Sequence, residues 1–384
     1  MDFTWDPQTE ALREEVRAFL AEQMTPELED RIYTSGVSHD DDFALALGAR
    51  HWIAPDWERE GFDTLGVAAV HVLTEELTKV DAPMYATSTS EMVAKVIRDV
   101  GSEAMKADVL PKVVSGELTI ALGMSEPEAG SDVAAIQTRA RQVDGGWVID
   151  GQKMFTTNAH VCDYVFLLAR TGPESQRHQG LTTFLVPLDL PGIEVQAVYT
   201  LSGERTNITY YADVLLEDRW RISEVGKGWH SLMIALQNEH SAPFSPHLDR
   251  LVDAVEAWAT TPVDGTAPIE RDDVRQRVMA AVTDLEVAQL LEARTSWMEG
   301  RGEVPVAEGP MSKLFSTEAV VRWADDLAGL VGPDALRTRS DATAIEGGRI
   351  EHALRFSLGT TIYAGASEIQ RNIIAQRRCR LPRG

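Results

Sequence analysis

The chain reads ALGMSEPEAGSD at residues 121–132, and its residue pattern changes at this stretch. Glu126-Pro127 is expected to end a strand, because proline has no backbone N–H to donate to a sheet. The Ala-Gly-Ser turn that follows can present several N–H groups and a hydroxyl in a small concavity, an arrangement that suits a phosphate. An ordinary surface turn has the same residues, so the spacing alone assigns no function.

The segment before this stretch has a helical pattern. Asp6 precedes Pro7, and this order of a capping residue and a proline predicts the start of a helix. Apolar residues then recur at helical spacing, at Leu12, Val16 and Phe19 or Leu20. Further helices are predicted at 73–80, 90–100 and 103–115, and the helical pattern ends near Gly116.

Residues 118–225 change to a period of two. The turn at 144–146 reads Asp-Gly-Gly, and glycine supplies the positive φ that a tight hairpin needs. Short β-branched segments separated by Gly or Pro predict an antiparallel barrel or sandwich. They lie at 147–149, 164–169, 182–186, 193–199 and 208–215.

The helical period returns after Gly228. Segments at 229–258, 273–298, 311–331 and 350–378 have the length and apolar spacing of a helical bundle, and 260–271 has the composition of a loop. We therefore predict an α+β chain of three domains. These are an N-terminal helical domain at 1–117, a middle β domain at 118–225 and a C-terminal helical bundle at 226–384.

Charge and composition exclude several classes of function. Lys and Arg number 36 against 60 Asp and Glu, and the net charge of −24 would repel nucleic acid and anionic membranes. The two cysteines, Cys162 and Cys379, form neither a metal-binding spacing nor a disulfide framework. No apolar run approaches the about 20 residues of a membrane span, and no signal peptide precedes the first helix. We expect a soluble, cytoplasmic protein without a bound metal.

Four motifs together resemble the acyl-CoA dehydrogenase family. The first is the stretch at 121–132, and GQKMFTTN follows it at 151–158. VGKGW lies at 225–229, where the helical pattern returns, and YAGASEIQR lies at 363–371. Their order and spacing agree with the family over nearly the whole chain. The resemblance implies the three-domain fold, an FAD cofactor and an acyl-CoA substrate.

The resemblance also assigns residues to the flavin. It implies that Leu122, Met124 and Ser125 line the isoalloxazine ring and that Phe155 and Thr157 cover its other flank. It places Gly130 and Ser131 on the pyrophosphate side, and Ser131 is a candidate for contact with CoA as well. A core aromatic would be the simplest interpretation of Phe155 outside this motif.

The catalytic base does not occupy the position that is usual in the family. The commoner members have a Glu after the Tyr of the C-terminal motif, where this chain has Ala364, which cannot take a proton. A minority, including isovaleryl- and long-chain-type enzymes, carry the Glu on a helix at the start of the last domain, followed by Arg. Here that position reads Glu239-His240, so Glu239 is the predicted base.

Three further residues are candidates for substrate contact. The family binds the thioester carbonyl through a backbone N–H, which Ala364 can still supply, with Gly365 beside it. Such a bond strengthens as the carbonyl gains enolate character, and this offsets the weak acidity of the α-proton. His240 replaces the usual Arg, and three interpretations stay open: it accompanies the substrate, it tunes Glu239, or it is a helix-surface residue with no role.

The pattern breaks at the segments that hold a neighbouring subunit's flavin in homomeric members. The family's Arg-x-x-Phe-Gly loop is replaced by TPVDGTAP at 261–268, and its Gln-x-x-Gly-Gly segment by GLVGPD at 329–334. A diphosphate would lose its charged partner in the first and its close backbone approach in the second. The resemblance is therefore to the catalytic subunit of actinobacterial α2β2 enzymes that act on sterol side chains. It implies a sister subunit, a bulky acyl-CoA and an electron-transfer flavoprotein as acceptor.

Three alternatives remain open at this point. The chain can act in a homotetramer on a short or branched acyl-CoA, or it can be a catalytically silent scaffold subunit, as Ala364 alone suggests. An oxygen-using flavoenzyme of the same fold is the third, although Glu239 and Ser131 favour a CoA thioester.

Overall fold

The computed structural model describes residues 4–239, 243–262 and 264–382, with the backbone only at 175 and 237–239. Helices, then strands, then helices follow one another along the chain, which confirms the α+β class. The helices are α1 Pro7–Gln23, α2 Pro26–Ser35, α3 Asp41–Ala49, α4 Val67–Lys79, α5 Tyr85–Val100, α6 Glu103–Ser115, α7 Gly228–Glu239, α8 Ser245–Thr260, α9 Asp272–Gly300, α10 Glu308–Val331, α11 Arg349–Thr360 and α12 Ser367–Arg377. The strands are β1 Ile120–Gly123, β2 Arg139–Val143, β3 Gly146–Lys153, β4 Tyr164–Arg170, β5 Leu181–Pro187, β6 Ile193–Tyr199 and β7 Arg205–Glu217.

The chain forms two compact units. One, the helical unit, comprises the described parts of Met1–Ala21, Leu65–Asp81 and His240–Gly384. The other, the mixed unit, comprises Glu22–Thr64 and Ala82–Glu239. The mixed unit contains the whole sheet together with α2, α3 and α5–α7.

Capping side chains account for the starts of several helices. Asp6 accepts hydrogen bonds of 2.9 Å from the N–H groups of Gln8 and Thr9, which confirms the predicted start of α1. Helices α2 and α3 were not expected from the apolar pattern, yet each begins at a capping residue. Thr25 accepts from the Leu28 N–H, and Asp40 from the Phe43 N–H.

Two segments that were predicted as continuous helices are interrupted. The first, at 229–258, breaks between α7 and α8, where Pro243 has no N–H to donate and Pro246 lies in the first turn of the new helix, which begins at Ser245. The second, at 350–378, breaks between α11 and α12, where Ala364 and Gly365 have φ of 52° and 83°. The apolar period continues across both breaks, so periodicity alone does not reveal them.

The seven strands found among the described residues form one sheet, ordered β1-β4-β2-β3-β7-β6, with β5 paired to β4. Most pairs are antiparallel, and the predicted hairpin joins β2 to β3 through Gly145, whose φ is 78°. The pairing of β1 with β4 is parallel, which alternation of residues cannot predict because period two is common to both arrangements.

Helix α5 holds the edge of the sheet at the point where the 121–132 stretch begins. The Ile120 N–H donates to Ser90 Oγ at 2.7 Å, and Thr89 Oγ1 donates to the Ile120 carbonyl at 2.8 Å. Both hydroxyl groups therefore satisfy backbone groups of β1. Strands β4 and β5 are buried along almost their whole length, which makes them the core of the mixed unit.

The helical unit has its own core. Apolar side chains of α8, α9, α10 and α11 pack together, including Leu248, Val255, Val278, Leu327 and Ile350. Among the described residues, no helix combines the length and the apolar character that crossing a bilayer would require.

Candidate functional site

A buried ion pair fastens β3 to the loop that follows β1. Lys153, with its side chain fully buried, donates from Nζ to Glu126 Oε1 at 2.8 Å and to the Met124 carbonyl at 3.2 Å. The Glu126 carboxylate also accepts from the N–H groups of Gln137 at 2.6 Å and Thr138 at 2.9 Å. One lysine and one glutamate thus join the two motifs at 121–132 and 151–158.

Burial and pairing act on both charges. Burial lowers the pKa of Lys153 to about 8, although Glu126 favours its charged form. Burial also disfavours the charged form of Glu126, but the nearby Lys153 and the hydrogen bonds to the carboxylate outweigh it and lower the pKa of Glu126. The pair is therefore ionised at neutral pH, and each member leaves a buried charge behind if the other is removed.

The loop after β3 holds an aromatic ring at the surface. Phe155 has a φ of 56° and is 61% exposed, a backbone conformation and an exposure that are both unusual for a bulky apolar residue. Strand β7 fixes the next residues. Thr156 and Asn207 exchange hydrogen bonds of 2.9 and 3.0 Å, and Thr157 Oγ1 lies 3.0 Å from Thr206 Oγ1. An exposed ring beside anchored residues is suited to cover a flat apolar ligand.

A buried arginine holds the segment that follows the turn at Gly130. Arg170, at the end of β4, is buried and donates to the carbonyls of Ala134 at 2.7 Å and Ile136 at 3.1 Å. Gly130 and Ser131 are exposed, and a Cβ on Gly130 would meet no described atom within 4 Å. The turn at Gly130 is therefore open at the surface, where a ligand group can approach, and Arg170 fixes the segment that follows the turn.

Helix α7 packs beside the same motif. Leu232 is fully buried in a cluster with Ala129, against which Met124, Met233 and Leu236 also pack. The helix therefore meets the loop after β1 through one apolar face. It ends at Glu239, of which the structure describes the backbone, while His240 lies outside the described residues.

In the helical unit, the turn between α11 and α12 is tightly held. The Ala364 carbonyl accepts from Gln370 Nε2 at 3.0 Å, and the Gly365 carbonyl accepts from the same atom at 3.2 Å. Lys313 Nζ donates to the carbonyls of Thr360 and Gly365, each at 2.9 Å. The N–H of Ala364 donates to none of the described residues, so it is available to a ligand.

The structure distributes the predicted site residues between the two units. Those assigned to the flavin all belong to the mixed unit, where the Met154 N–H donates to the Ser125 carbonyl at 2.9 Å and brings the two motifs side by side. Ala364 and Gly365 belong to the helical unit. Leu122, Met124, Ser125 and Thr157 are each partly exposed, whereas Phe155, Gly130 and Ser131 are exposed.

Sequence reasoning missed the residues that fasten these segments. Glu126 and Lys153 lie inside the motifs assigned to the flavin, and Gln370 lies inside the C-terminal motif. Their position in these motifs was the one signal that could have singled them out. Lys313 is a charged residue at a buried position of α10, which an apolar pattern with one interrupting lysine can reveal. Within the part of the chain that the structure describes, no group of three His, Cys, Asp or Glu side chains is arranged to hold a metal.

The family models that match this chain all describe one enzyme family. Family models of acyl-CoA dehydrogenases match the N-terminal domain at residues 6–117, the middle domain at 121–214 and the C-terminal domain at 226–378. The acyl-CoA dehydrogenase FadE26 of Mycobacterium tuberculosis is 31% identical, with 100% of this chain and 99% of that relative aligned.

Solved structures of similar fold include two complexes. A chain of the ChsE4–ChsE5 complex from Mycobacterium tuberculosis has a TM-score of 0.91 and 29% identity, with 100% of each chain covered. A chain of the Tcur3481–Tcur3483 steroid ACAD has a TM-score of 0.92 and 27% identity, again with 100% of each chain covered.

Proposed function

Because this chain belongs to the acyl-CoA dehydrogenase family, we propose that it desaturates an acyl-CoA thioester between the α and β carbons, with FAD as cofactor and Glu239 as base. The observation that carries the proposal is an apolar cluster that α7, which ends at Glu239, shares with the flavin motif, since Leu232 and Ala129 both belong to it and Met124 packs against it. We also propose domain boundaries near residues 117 and 225, which lie between the three matched segments.

The described residues fit a flavin. Phe155 offers an exposed ring on a strained and well-anchored backbone, and the Lys153–Glu126 pair fixes the loop of Met124 and Ser125 beside it. Thr157 contributes a hydroxyl at the same loop, while Gly130 and Ser131 leave an open turn for a phosphate. When bound, FAD supplies an acceptor for the hydride that leaves the β-carbon.

Glu239 is proposed to remove the α-proton. The proton passes to its carboxylate while the pair of electrons from the α C–H bond forms the new double bond. A carboxylate is a weak base for such a proton, so the thioester carbonyl must be stabilised at the same time. We assign this stabilisation to the N–H of Ala364, which donates to none of the described residues and lies in a half-buried turn. Gly365 gives the turn its positive φ of 83°.

Replacement of Glu239 by Gln tests the proposal. We expect the E239Q variant to bind FAD but to lose both bleaching of the flavin by acyl-CoA and exchange of the α-proton with solvent. Glu224 is exposed in the loop before α7, so E224Q removes the same charge and is a matched control that should keep full activity. Turnover by E239Q at the rate of the control would exclude Glu239 as the base.

We further propose that the chain works in an α2β2 enzyme with a sister subunit. The segments at 261–268 and 329–334 lack the residues with which homomeric members hold a neighbour's flavin. Arg271, the first arginine after the former segment, is engaged by Asp273 through two hydrogen bonds. The two complexes of similar fold are each named for two partner proteins, which supports this arrangement.

Co-expression decides the assembly. We expect flavin to be retained only when the chain is purified together with its sister subunit, at one flavin for two polypeptides. Full flavin occupancy in the chain made alone would instead favour the homotetramer. A flavin-containing complex that does not exchange the α-proton would favour a scaffold role.

A bulky, steroid-type acyl-CoA is the proposed substrate, with an electron-transfer flavoprotein as acceptor. The support is the likeness to the protein named a steroid ACAD, over the full length of both chains. Comparing kcat/KM for a sterol side-chain CoA ester with that for a short branched one tests the substrate. Turnover that needs oxygen and yields an oxygenated product would contradict the acceptor and favour an oxygen-using enzyme.

A further inference from the structure

Lys313 joins the two ends of the turn between α11 and α12. It is 3% exposed and lies on α10, and its ammonium donates to the carbonyl of Thr360, the last residue of α11, and to that of Gly365. A buried ammonium is costly unless its donors are used, so this position would favour an apolar residue if packing were its only role. The Lys313 ammonium uses two of its donors in the bonds to Thr360 and Gly365, and these bonds fix the geometry of the turn.

Gln370 holds the same turn from α12. Its side chain is fully buried, and Nε2 donates to the carbonyls of both Ala364 and Gly365. On the other side, the Tyr363 N–H donates to the Gly359 carbonyl at 3.2 Å. The Ala364 N–H therefore lies between two anchored peptide groups, and its direction follows from them. A residue with a φ of 52° would otherwise relax towards a commoner conformation.

The same lysine contacts the chain that leads from α7 into α8. Its Nζ lies 5.7 Å from the centroid of the Phe244 ring, within the range of a cation–π interaction. The Phe244 N–H donates to Glu292 Oε1 at 2.8 Å, and Glu292 also accepts from the Ser245 N–H at 2.8 Å. Phe244 follows Glu239 by five positions, so Lys313 contacts both the carbonyl-binding turn and the segment after the proposed base.

We propose that Lys313, together with Gln370, is a positioning residue that holds the Ala364 N–H in the direction needed to bind the thioester carbonyl. The proposal rests on the function argued above, because it acts through Ala364. Neither side chain has to touch the substrate. Each acts by occupying the carbonyl groups of the turn, which leaves the N–H of Ala364 free for the ligand.

Lys313→Met tests this role, since methionine keeps most of the length of the stem and removes the ammonium. We expect kcat per bound flavin to fall about 10- to 100-fold, as for a small displacement of a catalytic donor. KM should change less than about threefold, because the bond strengthens mainly in the transition state. Lys79→Met, which removes a lysine that pairs with Asp249 and Asp253 in the same unit, is the control and should leave kcat per flavin unchanged.

A spectroscopic readout separates positioning from a general loss of structure. A 3-thia-acyl-CoA can lose its α-proton but has no β-hydrogen to transfer, so the visible band that it forms with the flavin reports the deprotonated thioester. We expect this band to require a higher pH in K313M than in K79M. Gln370→Met, which loses the donor to the same carbonyls, should shift it in the same direction.

The outcomes distinguish this inference from the proposed function. If E239Q abolishes the band while K313M and Q370M form it at the pH of the wild type, the positioning role is wrong and the base assignment stands. If E239Q itself forms the band normally, the proposed function fails regardless of Lys313. Should K313M not retain flavin, an unshifted band in Q370M would overturn the inference by itself.

Discussion

Lys153 Nζ and Glu126 Oε1 lie 2.8 Å apart inside the protein and tie β3 to the loop that follows β1. The two residues are 27 positions apart in the chain, and each belongs to one of the two motifs assigned to the flavin. The same ammonium also holds the Met124 carbonyl. The geometry of the candidate flavin site thus depends on a charge pair that need not touch the ligand.

Replacing Lys153 by Met should destabilise the protein by about 3–5 kcal/mol, because it leaves the Glu126 carboxylate buried without its partner. Denaturant titration measures the free energy of unfolding. The flavin content of the purified K153M variant should also be lower than that of the wild type. The double variant K153M/E126Q should recover part of the loss, since it removes both charges. An additive effect of the two changes would show that the pair is not coupled.

Phe155→Ala should weaken flavin binding with little change in the free energy of unfolding. The side chain is 61% exposed and so contributes little burial to the folded chain. Equilibrium titration of the apoprotein with FAD, in the presence of any sister subunit, gives the change in Kd. Tyr199→Ala, at a 72% exposed aromatic residue on β6, is the matched control. Equal affinity in both variants would contradict the role given to Phe155.

Glu292→Gln should change how stability depends on pH. Burial raises the pKa of Glu292 to about 7 from its ordinary value of 4.5, against the hydrogen bonds from Ser245 and Phe244 and with a contribution from Glu75 on α4. The folded chain then binds more protons than the unfolded chain between these two values, so this group lowers stability as pH rises through that window. E292Q should lack this decline, as unfolding at pH 5 and pH 8 will show. An identical decline in stability in E292Q and the wild type would show that Glu292 is not the group responsible.

A base placed at the usual family position should partly replace Glu239. The double variant E239Q/A364E supplies a carboxylate after Tyr363, where the commoner members carry theirs. We expect it to regain measurable exchange of the α-proton, at a rate below the wild type, because the turn has to accommodate a longer side chain at a φ of 52°. A364E alone serves as the control. No recovery in the double variant would indicate that the pocket leaves no room for this second position.

Most of the fold could be predicted from local signals. The start of α1 at Asp6, the hairpin at Gly145 and the strand at Ile193–Tyr199 each depend on a few neighbouring residues. The breaks after Glu239 and before α12 were missed, because the apolar period continues through them. The parallel pairing of β1 with β4 was also missed, since its hydrogen bonds connect segments 44 residues apart, as the Thr119–Asp163 contact beside it does.

Some features of the candidate site could likewise be predicted from the sequence, and others could not. The amino-acid sequence by itself determined the family, the order of helical and strand-rich segments, the motifs assigned to the flavin and the absence of a carboxylate at residue 364. Only the tertiary structure decided that Lys153 pairs with Glu126, that Arg170 binds the carbonyl of Ala134 and that Lys313 binds the carbonyl of Gly365, 52 positions away. The physical reason is that caps, turns and periodicity act between near neighbours in the chain. A buried charge finds its partner through folding, and no spacing in the sequence records which carbonyl or carboxylate that will be.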